Sequence, residues 1–194
     1  MRTHKVLAAG AAVLSLGIIF LATGQAADEK ENVDKLAGLA AKYPAELQKK
    51  AAEYAKNLDD LGDVMNLLKK RTKTDPNPFG VGQKPTFAPD DGIEARIQNF
   101  GKKSPTKDQL TKDKDVLLQM VDRATAVAEI ALAKTPKKKD GEKDPKDWKE
   151  YSEEMIKQSR ELRKAIEAAD PKAVKVTANK LNASCTNCHG KFRD

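Results

Sequence analysis

Residues 170–193 read DPKAVKVTANKLNASCTNCHGKFR, a stretch that carries both cysteines of the chain. Asp170-Pro171 offers an N-cap carboxylate followed by a proline at the first helical position, where a missing N–H removes no helical bond. Beyond it Val174, Ala178, Leu181, Cys185, Cys188 and Phe192 follow at steps of four, three, four, three and four, which is the spacing of one helical face. The spacing predicts a terminal helix with both cysteines on its buried stripe. Three residues apart at one end of the chain, the two thiols cannot staple distant segments together, so stability must come from packing or from a bound group.

Upstream, Asp144-Pro145 repeats the device and opens a helix whose buried side carries Trp148, Tyr151, Met155, Leu162 and Ile166. Before it, the stretch from Lys107 to Lys134 places Leu117, Met120, Ala124, Val127 and Ala131 on one face and ends at Pro136. Leu47, Ala51, Tyr54, Leu58, Leu61, Met65 and Leu68 form another continuous stripe, with Pro44 in its first turn and Lys69, Lys70 and Arg71 at its C-terminal end. A shorter helix over Glu31 to Lys42 is expected to precede it. Between Thr72 and Asp91 the four prolines Pro76, Pro78, Pro85 and Pro89, with Gly80 and Gly82, exclude regular helix, and Asp91 is expected to cap a short helix through Ile93 and Ile97. No segment reads as a strand. The expected fold is all-α: an antiparallel four-helix bundle with an extra N-terminal helical segment and a long Pro/Gly loop after the first main helix.

The chain begins with Arg2, His4 and Lys5, continues through the uncharged apolar run Val6 to Leu21, and reaches the small residues Gly24-Gln25-Ala26-Ala27. This is the layout of a secretory signal peptide, residues 1–26, leaving a single domain over 27–194. The competing reading is an uncleaved anchor, since Val6 to Gly24 approaches the roughly 20 residues of a membrane helix; membrane contact is expected only in that case. The net charge of +7 falls to +5 once Arg2 and Lys5 are removed. No basic run with interleaved aromatics is present, so nucleic acid is not an expected partner, and Lys137-Lys138-Lys139 reads as a solvated loop.

Cys185-Thr186-Asn187-Cys188-His189 fits the c-type haem attachment pattern, in which two thiols form thioether bonds and the next imidazole binds iron. Two intervening residues bring both sulfurs to one side of a helical turn, and His189, four residues after Cys185, rises on the same face. A thioredoxin-like pair sits beside a βαβ pattern, which is lacking here. Structural zinc takes four ligands, whereas the mature chain supplies two Cys and one His, because His4 leaves with the signal. One covalent haem c in an exported, periplasmic protein is the expectation.

The C-terminal Cys185-Thr186-Asn187-Cys188-His189-Gly190-Lys191-Phe192-Arg193, on the last helix of an expected four-helix bundle, resembles cytochrome c prime and its class II relatives. The resemblance is most specific from Trp148 to Arg193 and does not cover Ala27 to Asn57 or the Pro-rich loop. It implies that Cys185 and Cys188 are the thioether residues, that His189 is the proximal ligand, and that Phe192-Arg193 matches the family's aromatic-basic ending. Arg193, one turn beyond His189, would add a fixed positive charge near the haem. Leu61-Gly62-Asp63-Val64-Met65 resembles the region in which Met-ligated relatives carry their axial methionine, which nominates Met65 as the sixth ligand. Leu61 stands where the family has a basic residue. A helix unbroken from Pro44 would put Met65 about 30 Å along it, far from the haem end of an antiparallel bundle, so the bundle's first helix is expected to begin near Asn57 or Leu58, with the earlier segment an added element. Met120 and Met155 are the other methionines of the mature chain.

Two functions follow from the sixth position. A Met sulfur closes the iron and suits electron transfer with redox partner proteins; an open face, as in the five-coordinate family members, binds small diatomic gases such as NO and CO. Enzymatic catalysis is not expected, because the mature chain has no distal histidine and no serine triad. The sequence leaves room for a homodimer.

Overall fold

The computed structural model describes the backbone of residues 19–82 and 91–193, with side chains from residue 27 onward. The described residues form eight helices and no strand: α1 (Ile19–Ala37), α2 (Pro44–Asn57), α3 (Leu61–Asn66), α4 (Ile93–Lys102), α5 (Lys107–Lys112), α6 (Lys114–Ala133), α7 (Pro145–Glu167) and α8 (Pro171–Phe192). The all-α bundle expected from the periodicity is thus the observed class. The signal segment lies mostly outside the described residues; α1 begins at Ile19 and runs through to Ala37, where the sequence suggested a helix over Glu31 to Lys42. No helix among the described residues is long and apolar enough to cross a membrane.

α6 is the centre. Leu117, Met120 and Val121 are buried, as is every residue from Ala124 to Ala131, because α7 packs along one side of the helix and α1 and α2 along others. Burial on all sides accounts for its run of small and apolar residues. α7 lies between α6 and α8, burying Met155, Ile156, Leu162, Ala165 and Ile166. Both Asp-Pro starts behave as the sequence suggests: Asp144 accepts from the N–H of Lys146 at 2.9 Å, and Asp170 from those of Lys172 at 2.9 Å and Ala173 at 3.1 Å. The short link from Ala168 to Asp170 makes α7 and α8 antiparallel neighbours.

The remaining side of the bundle is assembled from pieces. The stripe from Leu47 to Leu68 is not one helix: α2 ends at Asn57, Leu58 is extended, and Asp60 caps α3 by accepting from the Gly62 N–H at 2.7 Å. Adjacent aspartates at 59 and 60 favour a new cap over continued helix, since a short carboxylate competes for backbone N–H groups. The Leu58 carbonyl freed by the break accepts from Lys134 Nζ at the end of α6. The expected Lys107 to Lys134 helix is likewise divided at Asp113, and α5 carries its own capping box between Thr106 and Gln109. α2 covers α6, whereas α4 covers α8. The end of α4 is fastened to the start of α8 by Asn179 Nδ2 donating to the Gly101 carbonyl at 3.1 Å and Ser104 Oγ donating to the Pro171 carbonyl at 2.7 Å.

Asp91 does not cap α4. The N-cap position is Gly92, which makes no side-chain bond, and the Asp91 carboxylate is turned instead to Arg71, Nε···Oδ2 3.0 Å. The two are twenty residues apart, so the pairing has no local signature.

Candidate functional site

α3, α4, α7 and α8 converge on a cavity of about 390 Å³ with a largely apolar lining. α8 contributes Asn182, Ser184, Cys185, Cys188, His189, Phe192 and the following Arg193. α7 contributes Trp148, Tyr151, Ser152 and Met155; α3 and its flanks contribute Leu61, Gly62, Met65, Leu68 and Lys69; α4 contributes Ile93, Glu94 and Ile97. The structure therefore brings all five residues singled out in the sequence, Met65, Cys185, Cys188, His189 and Arg193, to one cavity. Met120 is 1% exposed and is not among the lining residues; the second thioether that lines the cavity is Met155. The space next to Gly62 is limited by its own cap, since a Cβ there would stand 3.1 Å from the Asp60 carboxylate oxygens.

The attachment helix is held at both of its sides near the motif. Phe192 meets the Trp148 ring edge-on, with centroids 5.0 Å apart, and the Tyr151 ring at 6.4 Å. Trp148 Nε1 in turn donates to the Ala131 carbonyl at 2.7 Å, so this aromatic corner is pinned to α6. Lys191 pairs with Asp147, tying the last turn of α8 to the first turn of α7. The sequence had placed Trp148, Tyr151 and Phe192 on buried stripes without joining them; their common role appears only when α7 and α8 are antiparallel.

Both cysteines are free thiols. Burial, with the Glu94 charge adding to it, raises the Cys185 pKa to about 11, and burial raises that of Cys188. A dithiol built for exchange has its pKa lowered by nearby positive charge or a helix N-terminus, and these thiols sit at a helix C-terminus beside a carboxylate. Burial and the Arg193 charge lower the His189 pKa, which favours the neutral imidazole that a metal requires. Among the described residues no cluster of three or more His, Cys, Asp or Glu could hold a bare metal ion. Glu94 had drawn no attention in the sequence, and Lys69 only as a helix-end charge; both act on His189 together with Arg193. Ile93 and Ile97, spaced by four, were the signal that a helix face stood there.

The donor set fits a c-type haem. Two reduced thiols and one imidazole lie on a single helix face at the wall of a cavity within the roughly 300–1,000 Å³ range of ligand pockets. An apolar enclosure with few polar groups suits a flat macrocycle whose edges alone are charged. Comparison with curated proteins and with solved structures gave no significant match. A family model described as Cytochrome C' matches residues 108–193. That segment runs from α5 to the end of α8 and includes the attachment motif, and it implies binding of haem c. Residues 108–193 thus match the model of the same family that the C-terminal motif resembles.

Proposed function

We propose that the chain is an exported monohaem cytochrome that passes single electrons between redox partner proteins. The observation that carries this reading is that Met65, from α3, opens onto the same cavity as Cys185, Cys188 and His189 from α8. When bound, the haem supplies the one-electron change, while the protein sets its potential and its access to partners. Cys185 and Cys188 hold it covalently. His189 would offer its neutral imidazole to the iron and Met65 its thioether, a ligand that raises the reduction potential. Leu61, Leu68, Ile93, Ile97 and Phe192 keep water from the cavity and lower its local dielectric. Arg193 and Lys69 contribute positive charge near His189, which favours the more electron-rich, reduced form. The signal layout of residues 1–26 supports export to the periplasm.

Gas binding is the second reading, favoured by one feature: Met65 sits on a helix of only six residues and is half-buried, so the distal wall lacks the rigidity of α6 to α8. The absorption spectrum of the purified holoprotein separates the two. Electron transfer through a Met-ligated site requires a low-spin spectrum that becomes high-spin and open to carbon monoxide in Met65→Ala. A high-spin wild type overturns the Met65 assignment and favours the gas-binding reading. Substituting Cys185 and Cys188 together with Ala should abolish haem that stays with the denatured chain; retained haem would refute the attachment sites.

A further inference from the structure

Two segments distant in sequence form one wall of the cavity: the end of the α3 region, with Leu68 and Lys69, and the start of α4, with Ile93 and Glu94. Neither belongs to the three long helices. They are joined by a set of contacts lying just beyond the cavity. Asp91, 1% exposed, accepts from Arg71 Nε at 3.0 Å and Nη2 at 3.3 Å, and the Arg71 side chain is itself only 12% exposed. Asp91 Oδ1 also accepts from the Val81 N–H at 3.2 Å. Backbone bonds run in parallel: Arg71 N–H to the Asp91 carbonyl at 2.8 Å, Glu94 N–H to the Leu68 carbonyl at 2.9 Å, and Phe79 N–H to the Leu67 carbonyl at 2.8 Å. Two glycines make room for this crossing. A Cβ at Gly80 would stand 1.9 Å from Arg71 Nη2, and one at Gly92, whose φ is 133°, would stand 2.6 Å from the Lys69 carbonyl oxygen. At Gly92 the obstacle is backbone, so no side chain fits; at Gly80 it is the end of Arg71, so a side chain there would displace the guanidinium.

We propose that Arg71 and Asp91 are positioning residues for the iron site: their buried pair clasps the α3 region to α4 and so keeps Met65 in the cavity. The inference rests on the reading of Met65 as sixth ligand. A six-residue helix has little stability of its own, so its placement comes from the burial of Val64 and Leu67 in the core and from what holds its ends. At the N-terminal end that is the Lys134 bond to Leu58, and at the C-terminal end it is the clasp. Removing one partner of the buried two-point pair takes away a charge-assisted link between the two segments and lowers the cost of opening between them. Opening withdraws Met65, whereas Cys185, Cys188 and His189, carried by α8, stay where they are.

The test uses the full-length holoprotein in two variants, Asp91→Asn and Gly80→Ala; the second dislodges the guanidinium without changing any charge. Both are expected to keep covalent haem and helical ellipticity, to shift part of the low-spin spectrum to high-spin, and to raise the carbon monoxide association rate of the reduced protein by about tenfold or more. A tenfold rise corresponds to about 1.4 kcal/mol in the open-to-closed equilibrium. Arg71→Lys, which keeps the charge and loses the two-point geometry, should fall between these variants and the wild type. Arg163→Ala breaks the Asp122 pair between α6 and α7, Nε···Oδ1 2.8 Å, and should lower stability without moving the spectrum. Folded clasp variants with wild-type spin state and rate would overturn the proposal, as would an equal spectral change in Arg163→Ala. Loss of the whole fold in both clasp variants would overturn it too, because the pair would then support the bundle and not this wall. A wild type that is high-spin, or a Met65→Ala protein that stays low-spin, identifies failure of the Met65 reading instead.

Discussion

The two parts of this molecule are held by different kinds of interaction. From α5 to α8 the start and direction of each helix are set by neighbours in sequence: a capping box at Thr106, Asp-Pro caps at 144 and 170, and a three-residue link between α7 and α8. Cross-helix pairs such as Asp122 with Arg163 and Asp147 with Lys191 are added once the helices turn back. From α1 to α4 the structure is specified by contacts across long stretches of chain. Arg123 of α6 holds Asp34 of α1 at 2.6 Å, Lys30 donates to the Asn77 carbonyl at 2.9 Å, and Arg71 holds Asp91. Phe79, 1% exposed, is the plug of this region, with the Arg123 guanidinium 4.1 Å and the Lys30 ammonium 5.3 Å from its ring centre. The proposed attachment residues thus stand on the locally specified part and the proposed sixth ligand on the other. Attachment can persist while the distal side opens.

The largest expected effects test that division directly. Phe79→Ala should cost about 3–5 kcal/mol, and Leu162→Ala in α7, fully buried, about 2–5 kcal/mol. The two losses should differ in extent. Native-state hydrogen exchange of the Phe79 variant is expected to accelerate in residues 67–72 and 91–97 with protection in α7 retained, because the region can open as its own unit. The Leu162 variant should lose protection throughout α6 to α8. Equal loss everywhere in both variants would show one cooperative unit and erase the distinction.

The same division explains what was legible in the sequence. Caps, the proline starts, the α8 stripe and the attachment motif are local patterns, and the structure has them at the residues named. The break at Leu58 was invisible to periodicity, because the side-chain stripe from Leu47 to Leu68 continues across it. It was legible from the length of an unbroken helix, which would carry Met65 away from the haem end; the expected new start near Asn57 or Leu58 is where α2 ends. Asp59-Asp60 was the available local signal, as Asp113 was for the division of α5 from α6. Asp91 shows the opposite case. Standing before Ile93 and Ile97 it satisfied every local rule for a cap, and a partner twenty residues away outcompeted the helix for its carboxylate. Glu94 reached the cavity only through the packing of α4 on α8, and Lys69 through the backbone bond that joins Leu68 to the start of α4.

A smaller effect concerns Glu129 on α6, 4% exposed and paired with Arg160 of α7 at 2.9 Å. Burial raises its pKa above 4.5, and the Arg160 charge offsets this only in part. With the folded pKa above the unfolded one, the native state binds more protons between the two values, so stability falls as pH rises from 4.5 through the folded pKa. Glu129→Gln removes that dependence and leaves the half-exposed Arg160 able to reach water. The variant's melting temperature relative to wild type should therefore be higher at pH 7 than at pH 4. A difference that is unchanged, or that grows toward acid, would mean that the Arg160 pair outweighs desolvation and that α6 to α7 does rely on a charge pair for its stability.

The smallest expected effect compares two aspartates at helix starts. Asp170 accepts from two backbone N–H groups of α8, those of Lys172 and Ala173, whereas Asp113 at the start of α6 makes no side-chain cap bond. Replacing a cap that satisfies orphan donors with Ala costs about 1 kcal/mol, within a range of roughly 0.5–2. Asp170→Ala should lower the unfolding free energy by that amount and Asp113→Ala by much less, both read from denaturant midpoints at unchanged slope. The haem spectrum should be unaffected in Asp170→Ala, because Cys185 lies fifteen residues beyond Asp170 and the intervening helix is locked to α7 and α4. If Asp113→Ala proved the costlier of the two, the carboxylate would be acting through the helix dipole and not through a bond, and the part of the molecule most legible from local sequence would owe less to its caps than the comparison assigns to them.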